Sequence, residues 1–327
     1  MLRSVNLTKT FIRSYVKLPL GICREKSVKC YELKSRSVLK ITGKDSSSFL
    51  QSVITNDMRC LENSCQSLFA FILNPQGRIL YDVILYSYLS QPAQSFYLEC
   101  DHSIRKDLLM LLKKYKIRRN VNLDPEDLTL IHCEEELADC PGLLLQNKDP
   151  RVKQFGYRAL IEKNKFQDHL ENEENYKKKR FELGIGEGIK DHPIAKCFPL
   201  ESNGVFLHAV AFDKGCYVGQ ELTARTHHTG ATRKRIMPLE LSEPINAHSA
   251  IICTEEGKSV GVIRDHIGRR AIGLMRVRES VNAKELYAKE NVEGETLSRV
   301  KTNIPFWWPI DKDERLRQLL GLSALPV

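Results

Sequence analysis

The chain has 327 residues, 42% of them apolar and 28% charged, with a formal net charge of +9 and ten cysteines. That length exceeds one small module and leaves room for a sizeable core. No apolar run approaches the roughly 18 residues that a membrane-spanning helix needs, and no fixed-period repeat points to a solenoid.

The positive charge is uneven. Residues 1–30 hold seven Lys or Arg against the single acid Glu25, so the rest of the chain is close to neutral. It lacks the concentrated basic surface that phosphate binding requires, and nucleic acid is not an expected partner. Within the leader, Arg3, Lys9, Arg13 and Lys17 fall on one arc of a helical wheel. Val5, Leu7, Phe11, Ile12, Tyr15 and Leu18 fall opposite, with Leu2 out of place near the basic side. A basic amphipathic segment with Ser and Thr and no early acid has the makeup of a mitochondrial transit peptide. A secretory signal would need a continuous apolar stretch of about 7–15 residues, which is missing. Residues 1–30 therefore stand apart from the fold, and the mitochondrial matrix is the expected compartment. Cysteines there stay reduced. With no Cys-x-x-Cys and no zinc-finger spacing, a self-contained metal site is not expected.

In chain order, Val38 to Ile41 predicts a strand. Asp45 or Ser46 caps a helix with Phe49, Leu50, Val53 and Ile54 on one face. Leu68–Leu73 and Ile79–Leu89, joined by the turn Asn74-Pro75-Gln76-Gly77, predict a hairpin. Phe96–Cys100 reads as a strand. Ile104, Leu108, Leu111, Leu112 and Tyr115 give an amphipathic helix, and Leu128–Cys133 returns to strand. Pro141–Pro150 reads as a joint, Tyr157–Ile161 as a strand, and Phe166–Arg180 as a helix with a solvated, charge-dense face. Gly184–Gly230 is irregular, as functional segments often are. Beyond Arg235, short β-prone runs at 236–241, 249–254, 259–265, 271–277 and 285–288 predict a small antiparallel barrel or sandwich. Glu314–Leu320 predicts a terminal helix.

The most informative stretch is Asp213-Lys214-Gly215-Cys216-Tyr217-Val218-Gly219-Gln220-Glu221. If Val218–Arg225 is helical, Cys216 stands at its start. The helix dipole, and the Lys214 ammonium if it folds back, would then favour the thiolate over the thiol, whose ordinary pKa is about 8.5. A thiolate attacks electrophiles or ligates soft metals; the other reading is a buried, inert cysteine. Gly215 and Gly219 permit close approach of backbone or ligand.

Lys214-Gly215-Cys216-Tyr217-Val218-Gly219-Gln220-Glu221 resembles the signature of the YgfZ-type folate-binding proteins, relatives of the aminomethyltransferase (T-protein) of the glycine cleavage system. Further segments agree in order: Ile41-Thr42-Gly43-Lys44-Asp45 through Phe49-Leu50-Gln51 and Thr55-Asn56-Asp57; Asn74 to Leu80; Arg180 to Ile185; Pro199-Leu200-Glu201-Ser202-Asn203; Val260 to Ile263; and Ala271 to Leu274. The similarity runs from about residue 36 to 290.

The resemblance implies an α+β fold: a T-protein-like body of two α+β sub-domains around a central channel that admits folate, followed by a small antiparallel β-barrel. The corresponding boundaries are 36–145, 146–232 with the signature, 233–310 for the barrel, and 311–327 for a tail. Combined with the leader, it implies the mitochondrial branch of the family, acting late in iron–sulfur assembly. That branch works with A-type scaffold proteins to make [4Fe–4S] clusters for aconitase-like and lipoate-synthase-like clients. A [2Fe–2S] cluster needs four ligands. Cys216 alone cannot hold one, so a cluster here would be shared with a partner.

The implied folate residues each carry a second reading. Glu201 would pair with the pterin edge or lie solvated in a loop. Arg180 would meet the folate's glutamate tail or end a basic helix. Tyr217 would stack on a ring or pack in the core, and Asn203 and Gln220 would orient the site. The aminomethyltransferases carry an aspartate pair after the hairpin; here it is Tyr81 and Asp82, which puts aminomethyl transfer in doubt and leaves Asp82 as ligand contact or structural group. Folate-dependent one-carbon transfer, with tetrahydrofolate as cofactor, is the alternative function.

Smaller signals carry less. Gly184-x-Gly186-x-Gly188 lacks dinucleotide spacing, and Gly43-Lys44 lacks the upstream glycine of a phosphate loop. His227 and His228 are expected to point apart. Arg225, Arg233, Lys234 and Arg235 form a basic patch that would hold an anionic tail or an acidic partner, or else a solvated loop. Phe306-Trp307-Trp308-Pro309 is expected to pack a terminal segment on the body.

Overall fold

The computed structural model describes residues 28–322 apart from 64, 91–92, 139, 167–168 and 248. Residues 1–27 of the expected transit segment lie outside the described residues. Strands β1 (Cys30–Glu32) and β2 (Arg36–Thr42) lead to helices α1 (Ser46–Val53) and α2 (Arg59–Asn63). There follow β3 (Ser67–Leu73), β4 (Ile79–Ser90), β5 (Ala93–Asp101), α3 (Arg105–Lys116), β6 (Asn122–Glu126) and β7 (Leu128–Cys133). The middle holds β8 (Leu143–Lys148), β9 (Tyr157–Glu162), β10 (Leu170–Glu171), α4 (Glu173–Glu182), α5 (Gly188–Asp191) and α6 (Gln220–Thr229). The last third holds β11 (Lys234–Leu241), β12 (Ile251–Thr254), β13 (Ser259–Ile267), β14 (Arg270–Arg276), α7 (Val277–Asn282), β15 (Leu286–Lys289), β16 (Thr296–Thr302) and α8 (Glu314–Leu320). Among the described residues, no helix is long and apolar enough to cross a membrane.

The predicted hairpin forms as β3 and β4. Asn74 closes it: its backbone N–H donates to the Arg78 carbonyl (2.9 Å), and its Oδ1 accepts from the Arg78 N–H (2.8 Å). Strand order in the first sheet is β3-β4-β5-β2-β6. The apolar run of β3 is explained by burial on both faces. Leu68, Ala70 and Ile72 face Phe49, Leu50 and Val53 of α1 and Leu108 and Leu112 of α3. Phe69, Phe71 and Leu73 face the second sheet with Leu130 and Leu160. A strand's side chains alternate between faces, so a doubly covered strand reads as a continuous apolar run.

The second sheet, β10-β1-β7-β9-β8, corrects the expected organisation. The joint read at Pro141–Pro150 contains β8, so the boundary expected at 145/146 falls inside a strand. Because β7 pairs with both β1 and β9, the sheet draws strands from both sides of that boundary. The helix expected over 166–180 starts later, at Glu173, where the Asn172 side chain accepts from the Glu174 N–H (2.9 Å). Its face is not wholly solvated, since Tyr176, Arg180 and Phe181 are buried. The barrel closes in the order β11-β14-β13-β12-β15-β16. Its last strand, β16, the short strand β1 and the edge strand β6, which carries Pro125, are short or polar and gave no pattern.

A polar core joins the two sheets. Arg158 on β9 donates to Glu99 on β5 (2.5 Å), Asp149 (2.9 Å), Glu187 (2.5 Å) and the Tyr176 hydroxyl (2.5 Å). Arg36 bridges Glu99 (2.8 Å) and Asp82 (3.0 Å), and Arg151 bridges Asp149 (2.7 Å) and Glu187 (2.7 Å). Arg180 pairs with Asp191.

Beside this network His132 is fully buried against Phe155 and Tyr176, at 4.4 and 4.9 Å between ring centroids. Among the described residues neither ring nitrogen has a hydrogen-bond partner, and burial holds the imidazole down to about 3. Its folded pKa lies below its unfolded one, so the unfolded chain takes the extra proton and stability falls as the pH drops from about 6.5 towards 3. His132→Leu is expected to shrink the stability difference between pH 7 and pH 5 by about 2 kcal/mol, the worth of about 1.5 pH units of differential proton binding. Urea unfolding at the two pH values measures it; an unchanged difference would mean that His132 protonates in the fold.

Candidate functional site

The segment 208–219 is laid along the end of α1 and the Thr55-Asn56-Asp57 stretch. The Asn56 Nδ2 donates to the His208 carbonyl (2.7 Å), the Thr55 Oγ1 to the Ala209 carbonyl (2.6 Å), and the Ala211 N–H to the Thr55 carbonyl (3.0 Å). The Val218 N–H donates to the Ser52 carbonyl (3.2 Å). Arg59, paired with Asp57, also donates to the Asp213 carbonyl (3.3 Å).

Lys214 does more than stand beside the cysteine. A helix end leaves its last carbonyls without intrahelical donors. The Lys214 Nζ donates to the carbonyls of Gln51, Ile54 and Asn56 at 2.8, 2.7 and 2.7 Å. The Tyr217 ring lies 4.8 Å from the same nitrogen. Burial pushes Lys214 down to about 7. The three carbonyls oppose that, because only the ammonium form has three N–H bonds to give. All three are spent on the end of α1 and the residues just after it, so the expected charge pairing with Cys216 gives way to an anchoring role.

The third support is the hairpin turn. Gly219 has φ +78°, and a Cβ there would lie 2.3 Å from the Asn74 carbonyl oxygen and 3.2 Å from the Gly77 Cα. Gly219 is the residue preceding α6, which begins at Gln220 rather than Val218. Cys216 therefore stands in the loop before the helix, not at its first turn. The Gln220 Oε1 accepts from the Tyr217 N–H (3.1 Å) and ties helix to loop. Tyr217 is buried in the core between the sheets, and that burial lifts its phenol to about 12.

Cys216 itself is exposed. Its side chain has no hydrogen-bond or ionic partner among the described residues, and a Cβ on Gly215 would meet nothing within 4 Å. The loop thus holds a thiol in the open while its flanks are pinned. Among the described residues Cys216 forms no disulfide. Among those residues no group of three or more His, Cys, Asp or Glu side chains is placed to hold a metal.

The other residues singled out from the sequence are gathered at three further places. Asp82 and Arg180 lie in the buried ion network. Asp82 accepts from Arg36 and from the Gly188 N–H (2.9 Å), and Arg180 donates to Asp191 and to the Ile185 carbonyl (2.7 Å). Asn203, at φ +59°, sits at the root of the barrel, where its Nδ2 donates to the Ile236 carbonyl (2.8 Å). Glu201 is half-buried and lines a cavity of about 330 Å³ with Phe198, Leu222, Lys234 and Arg276. Burial raises its carboxyl above the ordinary range, and the carboxylate accepts no hydrogen bond among the described residues.

Several readings need correction. Arg235 is not part of a surface patch with Arg225 and Arg233; it is 7% exposed, with its guanidinium 3.8 Å from the Phe206 ring centroid. Trp308 packs in the barrel core and Trp307 donates to the Leu183 carbonyl (2.8 Å), but Phe306 is exposed. His227 and His228 do not splay: Phe212 lies against both, and their rings are 5.2 Å apart. The anchoring carbonyls of 51–56 were hidden from sequence reasoning because backbone acceptors leave no mark on composition. The matched Phe49-Leu50-Gln51 and Thr55-Asn56-Asp57 marked the region but not the carbonyls.

The barrel, residues 233–310, matches the family described as CAF17, C-terminal beta-barrel domain. Over the whole chain, the iron-sulfur cluster assembly factor IBA57, mitochondrial, of Mus musculus is 34% identical across 309 residues, covering 86% of this chain and 85% of the relative. The Homo sapiens protein of that name is 31% identical across 313 residues, with the same coverage. The Mycosarcoma maydis homologue is 28% identical across 348 residues, covering 87% of this chain and 86% of its own. Among solved structures, the glycine cleavage system aminomethyltransferase T from Bartonella henselae matches with a TM-score of 0.65 at 15% identity over 86% of each chain. That likeness establishes the T-protein-like α+β fold with its C-terminal barrel.

Proposed function

Because this chain belongs to the IBA57 family of mitochondrial iron–sulfur cluster assembly factors, we propose that Cys216 is its working residue and acts as a ligand to a cluster shared with an A-type scaffold protein. The place of action is the mitochondrial matrix, at a late step toward [4Fe–4S] clusters. The observation that carries this reading is an exposed thiol on a loop pinned by carbonyls of Gln51, Ile54 and Asn56, the Tyr217 ring and the hairpin turn. Four ligands hold a [2Fe–2S] cluster. Cys216 offers one, and the open space over Gly215 lets a partner bring the remainder. The thiolate is the ligating form.

The test mixes the full chain anaerobically with an A-type scaffold protein, iron and sulfide, and records visible absorption and mass. A coloured heterocomplex is expected from the unmodified chain and none from Cys216→Ala, whose melting curve stays unchanged. Equal colour and association in both would end the bridging-ligand reading.

Folate binding is a second reading, favoured by Glu201. A carboxylate with no hydrogen-bond partner among the described residues, in a cavity of about 330 Å³, suits the amide-like edge of a pterin. Tetrahydrofolate titration against Glu201→Gln tests it. One-carbon transfer from that folate has less support: Asp82, the surviving acid of the pair, spends its carboxylate on Arg36 and the Gly188 N–H.

A further inference from the structure

Five arginines of the described residues are buried, and four of them, Arg36, Arg151, Arg158 and Arg180, have a carboxylate within 4 Å. Arg235 has none. Its Nη1 donates to the Leu200 carbonyl (3.0 Å) and, at 3.5 Å, to the Asn203 Oδ1; its Nε is buried without an acceptor. Nothing among the described residues accepts from Nη2. An isolated cation is expensive to hold away from water. Burial accordingly lowers this guanidinium to about 10. The faces of Phe206 and Trp308, at 3.8 and 5.7 Å, offset part of that penalty. They cannot accept the free N–H groups in the plane of the guanidinium.

Arg235 lines a cavity of about 840 Å³ bounded by the last turn of α6, the start of the barrel and the segment 307–319. That size falls in the range of small-molecule sites. Its walls are largely apolar, with Val205, Phe206, Ile310, Leu316 and Leu319 among them. Trp308 adds a second buried N–H without an acceptor. The unmet needs are therefore acceptors, not donors. The charged groups of the lining balance: Arg235, Lys312 and Arg315 against Asp311, Asp313 and Glu314. A polyanion would meet as many like charges as opposite ones, whereas a single negative charge would complete Arg235.

We infer that this cavity is a binding site for an organic monocarboxylate with an apolar body, its head on Arg235 and its body against Phe206, Trp308 and Leu316. The site is separate from the Cys216 loop and does not depend on the cluster reading.

The chain's two tryptophans, Trp307 and Trp308, both line this cavity, so intrinsic fluorescence reports on it directly. The probe is 4-phenylbutyrate, titrated into the full chain beside its neutral amide, 4-phenylbutyramide, and inorganic phosphate. The acid is expected to shift tryptophan emission saturably with a Kd of roughly 10 µM to 1 mM. The amide should bind about tenfold more weakly, as for the loss of one charged hydrogen bond. Arg235→Met should erase that preference. The acid–amide comparison on the unmodified chain stands even if a variant folds poorly. No saturable change up to about 5 mM, far weaker than a specific site of this size provides, would overturn the proposal. Equal affinity of acid and amide would do the same, as would phosphate competing as well as the acid.

Discussion

Arg158→Met is expected to destabilise the folded chain by about 3–5 kcal/mol, the usual effect of breaking a buried ion pair from one side. Arg158 is fully buried and donates to three carboxylates, Glu99, Asp149 and Glu187, drawn from a strand of the first sheet, the loop after β8 and the segment before α5. Methionine has similar reach but returns no hydrogen bond, so those carboxylates stay desolvated with Arg36, Arg151 and Arg180 left to compensate. The pH response fixes the sign. Burial alone would lift Asp149 and Glu187, yet the neighbouring arginines overcome it and hold both below the ordinary carboxylate range. A depressed carboxylate contributes stability that is fully present above its unfolded pKa, near 4, and is lost as the pH falls through its folded value. Without Arg158 the folded values rise, and acid unfolding should set in at higher pH. Urea unfolding at pH 7 and an acid titration followed by circular dichroism measure both effects. Adding Glu187→Gln to Arg158→Met should recover part of the loss, because it removes one of the stranded charges. A loss under about 1 kcal/mol would mean that water reaches the network.

That network also shows where the sequence stopped speaking. The hairpin at 67–90, helix α3 and most of the barrel were legible because their apolar periods match their burial. Asp82 and Arg180 were not. Each is a charged residue in a matched motif, and composition gives such residues to a ligand or to solvent. The structure gives both to each other's neighbourhood, through Arg36, Glu99, Arg158 and Glu187 drawn from distant segments. No local pattern encodes that meeting. Lys214 was expected to favour the thiolate if it folded back; its ammonium instead meets carbonyls of 51–56. Arg235 looked like one of a cluster of surface cations, because a strand whose every other residue turns inward can carry a charge into the core at its first turn inward. Cys216 was legible in kind, and its exposure came only from the fold.

The second large effect is expected at Gly219. Gly219→Ala places a methyl 2.3 Å from the Asn74 carbonyl oxygen and 3.2 Å from the Gly77 Cα, at a backbone φ of +78°. Neither neighbour is the flexible end of a side chain, so backbone must move. The left-handed conformation alone disfavours alanine by about 1 kcal/mol, and relieving the clash should bring the total to about 2 kcal/mol or more. The loop has two other anchors, the Lys214 ammonium on α1 and the Val218 N–H on Ser52. The sheets and barrel should therefore stay folded while the loop lifts from the hairpin turn. Lifting moves Cys216 relative to the surface a partner must meet, and an error of about 1 Å in such a site is enough to lose most of its function. Gly219→Ala should thus lower the yield of the Cys216-dependent coloured heterocomplex about tenfold or more, at temperatures well below its melting point. Gly215→Ala separates positioning from approach. Its Cβ meets nothing within 4 Å and its φ is not in the left-handed region, so stability should not change. Any loss of heterocomplex there reports the partner coming close over the loop. If Gly219→Ala forms the complex in full yield, the hairpin does not hold Cys216 in place, and the anchoring falls to Lys214 and the Val218 N–H.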